Sequence, residues 1–382
     1  MIGSVYGAGI PLPRKTSFMT TPTPQPGILD IRPYVPGSSD APGAAKIYKL
    51  SSNESALGPS PKAMDAYRET SAALHLYPDG AATPLREKIA SLYDLDPAQI
   101  VCGSGSDELL QLITKAYVGV GDNIVQSDHG FLVYALAAKS CGGEVRFAPE
   151  KNLTVDIDAM VAACDEKTRI VFIANPNNPT GTYIPRSDIE ELRKKLRDDV
   201  LLVIDSAYAE YMDVTDYDDG ANLVRSHDNV VMTRTFSKIY GLGGLRLGWA
   251  YCPPAIADVL HRIRGPFNVS AAAIAAGVAA LEDTEFVARN RAFNARERDV
   301  LVQQLGALGL ELTPSVGNFV LVKFPTEQGR DASAIQAYLR ENGVIVREMG
   351  AYKLGEYLRI SIGEEDANRK LVDLLQKQFC SV

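Results

Sequence analysis

Two unbroken apolar runs constrain this chain most: Ile170-Val171-Phe172-Ile173-Ala174, which runs into Asn175, and Val200-Leu201-Leu202-Val203-Ile204, which runs into Asp205. A strand with one wet face alternates apolar and polar residues, whereas a continuous apolar run needs cover on both faces. Strand-like runs alternate with helical patterning from about residue 100 to 250. That order predicts crossover units and a mostly parallel sheet, hence an α/β class. Ile100-Val101-Cys102 leads into Gly103-Ser104-Gly105-Ser106, after which Leu109, Leu110, Leu112, Ile113, Ala116 and Tyr117 fall at helical spacing. A helix from Asp107 to Tyr117 is expected there, with Ser106 or Ser104 as its N-cap.

The pattern changes after about residue 285. Val287 to Leu308 reads as a long charged amphipathic helix, and strands are expected over 318–322, 344–347 and 357–362. In the last of these Leu358, Ile360 and Ile362 share one face and Arg359 and Ser361 the other. Packing the apolar face aims Arg359 away from that core, and an inter-domain cleft is its expected destination, a solvated arginine at the sheet edge being the plainer alternative. A chain of 382 residues has room for two domains. The expected division is a flexible N-terminal arm over 1–27, a segment over 28–58 contributing to the small domain and the active site, a large domain over 59–285 and a small domain over 286–382. The net charge of −8 disfavours nucleic acid and anionic membrane as partners. Cys102, Cys141, Cys164, Cys252 and Cys380 are scattered and the four histidines show no ligand spacing, so buried thiols in a reducing compartment and no metal are expected. No apolar run reaches the length of a membrane span, and residues 1–27 lack a signal-peptide core; a cytoplasmic protein is the expectation.

Chemistry concentrates in Thr233–Trp249. Lys238 sits among hydroxyls and glycines, and Arg246 follows eight residues on. A lysine amine attacks carbonyls once burial or a neighbouring cation lowers its pKa. Thr235, Ser237 and Arg246 are groups suited to a phosphate: two hydroxyl donors and a bidentate guanidinium. An aldehyde-seeking lysine beside a phosphate cup suggests pyridoxal 5'-phosphate; a solvated lysine and surface arginine around a glycine-rich turn is the plainer alternative. Asp205 ends a buried strand, which is costly for an unpartnered carboxylate. A pyridinium nitrogen would be such a partner, as would the start of a following helix, and Tyr208 could reach a ring hydroxyl. Asn175-Pro176-Asn177-Asn178-Pro179-Thr180-Gly181 forms a turn at the end of the other run, where ligands bind in open α/β sheets. The glycine-rich turn at 103–106 opens a helix and so offers an anion its backbone N–H groups.

Together with Leu-Tyr-Pro-Asp-Gly at 76–80, Gly-Ser-Asp-Glu at 105–108 and Leu-Arg-Ile-Ser-Ile-Gly at 358–363, these segments resemble the fold-type I aminotransferases, and among them the histidinol-phosphate aminotransferases, from about residue 28 onwards. The resemblance implies the PLP-dependent transferase fold type I: a large domain with a mostly parallel central sheet and a smaller α+β domain. It implies that Lys238 is the Schiff-base lysine and general acid/base, that Asp205 partners the pyridinium, and that Tyr208 and Asn178 hold the ring's 3-oxygen. Ser106, Asp107, Thr235, Ser237 and Arg246 would take the phosphate. Tyr134 matches the aromatic stacked on the ring, with Phe131 as its rival. Tyr77 matches a tyrosine reaching the cofactor phosphate of the other subunit, which implies a homodimer with shared active sites. Arg359 matches the arginine that grips the substrate anion; Arg347 and Tyr34 match positions that hold a substrate phosphate, and Asn53 lines the site. The implied reaction exchanges amino groups between histidinol phosphate and 2-oxoglutarate, giving imidazole-acetol phosphate and glutamate, by ping-pong kinetics in histidine biosynthesis. Aromatic amino acids are the alternative substrates. A decarboxylase or lyase, or a cofactor-sensing module of a regulator, would be a different use of the scaffold.

Overall fold

The structure is a computed structural model that describes residues 24–31, 43 and 46–379. All but residues 24–27 of the expected arm, together with Tyr34 and Cys380, lie outside the described residues. The central sheet has seven strands: β1 (Ile100–Gly103), β2 (Asn123–Ser127), β3 (Glu144–Ala148), β4 (Thr168–Ala174), β5 (Leu201–Asp205), β6 (Val230–Thr235) and β7 (Gly248–Tyr251), in the order β1-β7-β6-β5-β4-β2-β3. Only β7 runs antiparallel to its neighbours, so the sheet is mostly parallel. The two apolar runs are β4 and β5, side by side at its centre. Alternate residues serve opposite faces: Leu202 and Ile204 pack with Val230 and Met232 in one core, Leu201 and Val203 with Val231, Leu109 and Tyr134 in another. Burying each such side chain contributes roughly 1.5–3 kcal/mol, which is the physical reason both runs are apolar throughout.

Helix α1 (Ser106–Tyr117) follows β1, and α2 (Leu132–Ser140) follows β2. Contrary to expectation, neither Ser104 nor Ser106 caps α1. The cap is Gly105, at φ 83 and ψ 162, which offers no side chain to the helix's first N–H groups, while Glu108 Oε2 accepts from the Ser104 N–H just before it at 2.5 Å. A Cβ at Gly105 would lie 2.5 Å from Nη2 of Arg246, which would have to move, and the φ of 83 strains any residue with a side chain, so the conformation calls for glycine.

The long helix α3 (Thr284–Ala307) leads to a four-stranded antiparallel sheet of β8 (Glu311–Leu312), β9 (Phe319–Lys323), β10 (Arg347–Glu348) and β11 (Tyr357–Ser361), ordered β8-β9-β11-β10. Leu358, Ile360 and Ile362 enter a separate core with Val320, Val322 and Leu371. Leu50 joins that core, and Tyr48–Lys49 pairs in parallel with Val344–Ile345. The expected strand over 344–347 is therefore two pieces. Its first half pairs with the N-terminal segment, its second with β11, and Val346 turns into the core between them. Among the described residues, no helix is long and apolar enough to cross a membrane.

Candidate active site

A cavity of about 140 Å³ opens at the carboxyl ends of β4, β5 and β6. Of the residues expected to form a site, Ser106, Asp107, Asn178, Asp205, Tyr208, Thr235, Ser237, Lys238 and Arg246 line it. They come from five segments separated by up to 140 positions, brought together because parallel strands deliver all their outgoing loops to one edge.

Asp205, the last residue of β5, is 4% exposed. Its Oδ2 accepts from the Tyr134 hydroxyl at 2.8 Å and its Oδ1 from Thr233 Oγ1 at 3.0 Å. Burial pushes its carboxyl up to about 6, and the two hydroxyls pull against that rise, as does the Lys238 charge. Hydrogen bonds to charged groups contribute roughly 1.5–3 kcal/mol each. Asp205 does not cap a helix: the following turn, Ala209–Tyr211, starts at Tyr208 without a side-chain cap.

Lys238 lies in the loop after β6, its Nζ 5.6 Å from the centre of the Tyr208 ring. Burial lowers its amine to about 8, and the Arg359 charge acts in the same direction. An amine with that value is half neutral near pH 8, and its neutral form is able to attack a carbonyl or take a proton.

The anion end is built differently. Arg246 occupies the left-handed region at φ 52, uncommon for a residue with a side chain. From there Nη1 donates to Ser237 Oγ at 3.3 Å and to the Gly243 carbonyl at 3.0 Å, and Nη2 reaches Asp107 Oδ2 at 3.1 Å. Thr235 Oγ1 accepts from the Ser237 N–H at 3.1 Å. The start of α1, two hydroxyls and a guanidinium thus converge where no side chain has spent the helix's first N–H groups on a cap.

The third side comes from the C-terminal sheet. Arg359 on β11 is buried, donating to Asn178 Oδ1 at 2.5 Å and to the Ser51 carbonyl at 2.9 Å. Asn53, at φ 54, donates through Nδ2 to the Tyr208 hydroxyl at 2.9 Å, and its backbone N–H and Oδ1 both engage Ser361 Oγ. One asparagine therefore ties β11 to the tyrosine at the cavity floor. Arg347 is half-buried on β10, directly opposite Arg359 in the strand pair, so the two side chains leave the same face.

Two expectations need correction or separate placement. Tyr134, expected to stack on a cofactor ring, is fully buried. Its ring stacks on Phe172 at 4.6 Å and its hydroxyl points to Asp205. Of the two, Phe131 lines the cavity; it precedes α2 and faces outwards, while Tyr134, one turn later, faces the sheet. Tyr77 is 81% exposed and stacked on Phe267 at 4.6 Å, outside the cavity of its own chain. Sequence reasoning gave Thr233 and Ser361 no role, although it placed Ser361 on the Arg359 face of its strand. Thr233 shares a strand face with Thr235, a signal that period-two alternation carries. Among the described residues no group of three or more His, Cys, Asp and Glu could hold a metal ion.

With this geometry in hand, the chain can be set beside known proteins. The family described as aminotransferase class I and II matches residues 45–375. A protein of Rhodospirillum centenum named histidinol-phosphate aminotransferase is 54% identical over 357 residues, 94% of this chain and 98% of that one. One of the same name from Maricaulis maris is 55% identical over 352 residues, 92% of this chain and 97% of that one. The crystal structure of histidinol-phosphate aminotransferase from Sinorhizobium meliloti in complex with pyridoxal-5'-phosphate superposes with a TM-score of 0.82 at 30% identity, covering 88% of this chain and 92% of that one.

Proposed function

The chain belongs to the class I and II aminotransferases, and from that premise we propose that it exchanges amino groups between histidinol phosphate and 2-oxoglutarate with pyridoxal 5'-phosphate as cofactor. The residues fit that group. Asp205 is a buried carboxylate at one end of the cavity, Lys238 an amine of lowered pKa in its wall, and Arg246 with Ser237 and the Gly105 turn a cradle for an anion at the other end. Asp205 would face the ring nitrogen, Phe131 the ring face, Tyr208 and Asn178 the ring's 3-oxygen, and Ser106, Asp107, Thr235, Ser237 and Arg246 the phosphate. Bound there, the cofactor supplies an aldehyde carbon and an electron-accepting ring. Lys238 Nζ would hold the aldehyde carbon, and as a base it would take the proton from the amine-bearing carbon of the substrate. Asp205, as an anion, would favour a proton on the facing nitrogen. Asn53 holds the Tyr208 hydroxyl in place.

One observation carries the substrate: Arg347 and Arg359 stand directly opposite each other on β10 and β11. Two guanidiniums on one face of a strand pair suit a dianion better than a single charge. Histidinol phosphate presents such a dianion in place of an α-carboxylate, whereas an aromatic amino acid presents a single charge. The experiment compares kcat/KM for histidinol phosphate and phenylalanine with 2-oxoglutarate as acceptor. We expect histidinol phosphate to lead by at least about tenfold, the worth of one charge-assisted hydrogen bond; equal values would overturn the substrate assignment.

We also propose a homodimer with shared sites. Leu74, Leu76 and Tyr77 are 78%, 62% and 81% exposed beside Phe267 at 46%, and contiguous apolar exposure of this kind marks an interface. If Tyr77 completes the neighbour's phosphate cradle, mixed dimers of Tyr77→Ala and Lys238→Ala subunits regain activity, since each contains one site with neither defect. No recovery after confirmed subunit exchange would contradict sharing.

A further inference from the structure

Tyr134 and Thr233 deliver one hydroxyl to each oxygen of Asp205, from opposite sides and from different elements. Tyr134 comes from α2, its ring fixed by a stack on Phe172 at an interplanar angle of 6° and by an edge contact to Phe131 at 5.8 Å. Thr233 comes from β6 and is the direct register partner of Asp205. All three are buried. A carboxylate in that setting has two ways to lower its energy: accept hydrogen bonds as an anion, or take a proton. Hydroxyls can donate to the anion at no cost in charge, so they favour the first. The charged groups acting on Asp205 are Asp107, which opposes the anion, and Lys238, which supports it; they come from α1 and the loop after β6.

We propose that Tyr134 and Thr233 are positioning residues that hold the negative charge on Asp205 and so keep the proton it shares with the cofactor on the ring nitrogen. The proposal rests on the reading that the ring nitrogen faces Asp205. It follows from competition between two bases. Asp205 and the ring nitrogen bracket one proton, and each hydroxyl given to Asp205 makes the carboxylate the weaker base. Without the hydroxyls the proton moves to Asp205, leaving a neutral ring that accepts electrons poorly. Tyr134 is thus linked to both ends of the ring's seat: its hydroxyl sets the carboxylate and its ring edge supports Phe131.

The test uses the enzyme loaded with cofactor carrying nitrogen-15 in its ring, whose resonance reports protonation directly. Tyr134→Phe keeps the stack on Phe172 and removes only the hydroxyl; Thr233→Val removes the other, and Thr233→Ser restores it. The expected result is a move of the resonance towards the unprotonated position in Tyr134→Phe and Thr233→Val. Each hydroxyl lost should shift the proton distribution by about tenfold, further in the double variant, with Thr233→Ser returning to the unsubstituted value. The same variants should lower kcat with KM unchanged. Asp205→Asn serves as the reference. If it shifts the resonance and the hydroxyl variants do not, the hydroxyls only pack the core and the proposal falls. If Asp205→Asn itself leaves the resonance in place, the ring does not sit on Asp205, and both the underlying reading and the proposal are overturned.

Discussion

Asp205 and Asp107 line the same cavity under opposite conditions. Asp205 is 4% exposed and meets neutral hydroxyls, whereas the Asp107 side chain is 42% exposed and meets Arg246, itself 45% exposed. At the buried end a charge is maintained by fixed dipoles at low dielectric, where interactions are strong and rearrangement is costly. At the open end charges face each other through solvent, which screens them and leaves the guanidinium able to turn to an arriving phosphate. The difference teaches a division of labour: the buried end sets reactivity, the open end sets affinity.

The sharpest way to break this division is to remove one group from each end. Lys238→Ala takes away both nucleophile and base, so turnover should fall by roughly 10²–10⁴-fold while the phosphate cradle still binds cofactor, as equilibrium dialysis would register. Asp205→Ala should cost on the order of 10²-fold or more in turnover, in line with losing a preorganised electrostatic partner. Near-normal turnover would leave Asp205 with a structural role only. Arg246→Ala should do the reverse, weakening cofactor affinity by about one to two orders of magnitude while turnover at saturating cofactor stays within about threefold. A variant at the open end that lost turnover but not affinity would end the comparison.

Arg347→Ala tests the substrate side with a smaller effect. Its kcat/KM for histidinol phosphate should fall about 10- to 100-fold, and the glutamate half-reaction clearly less, because an α-carboxylate keeps Arg359. Equal losses in the two half-reactions, followed by stopped-flow absorbance, would mean that Arg347 is shared or structural. The mildest effect is in pH. Because burial depresses the Lys238 amine from 10.5 to about 8, its neutral, reactive form is lost below that value and gained above it. In cofactor-free protein, acylation of Lys238 should rise with pH to half its limit near 8, while exposed lysines continue to gain past pH 10. A Lys238 profile matching the exposed lysines would contradict its burial.

How far the sequence revealed this arrangement differs from residue to residue. Lys238, Asp205 and Asn178 were legible because each closes or follows a buried apolar strand, a local pattern that fixes where a loop must emerge. The faces of β11 were legible from period-two alternation, which put Arg359 opposite Leu358 and Ile360. Phe131 and Tyr134 were not separable: only the start of α2 at Leu132 turns the first outwards and the second inwards. The N-cap of α1 is neither expected serine because the chain enters the helix at φ 83, a conformation that Gly105 adopts freely and a residue with a side chain does not. Thr233 went unnoticed because its value depends on the β5–β6 register, a relation between strands that neither segment encodes alone.

The claim on which the whole account depends is that Lys238 is the residue that holds the cofactor. Borohydride reduction of the loaded enzyme, followed by proteolysis and mass spectrometry, tests it directly. The account predicts cofactor fixed to the peptide containing Thr235, Ser237 and Lys238, with Lys238 as the modified residue. Cofactor fixed to any other lysine would contradict it.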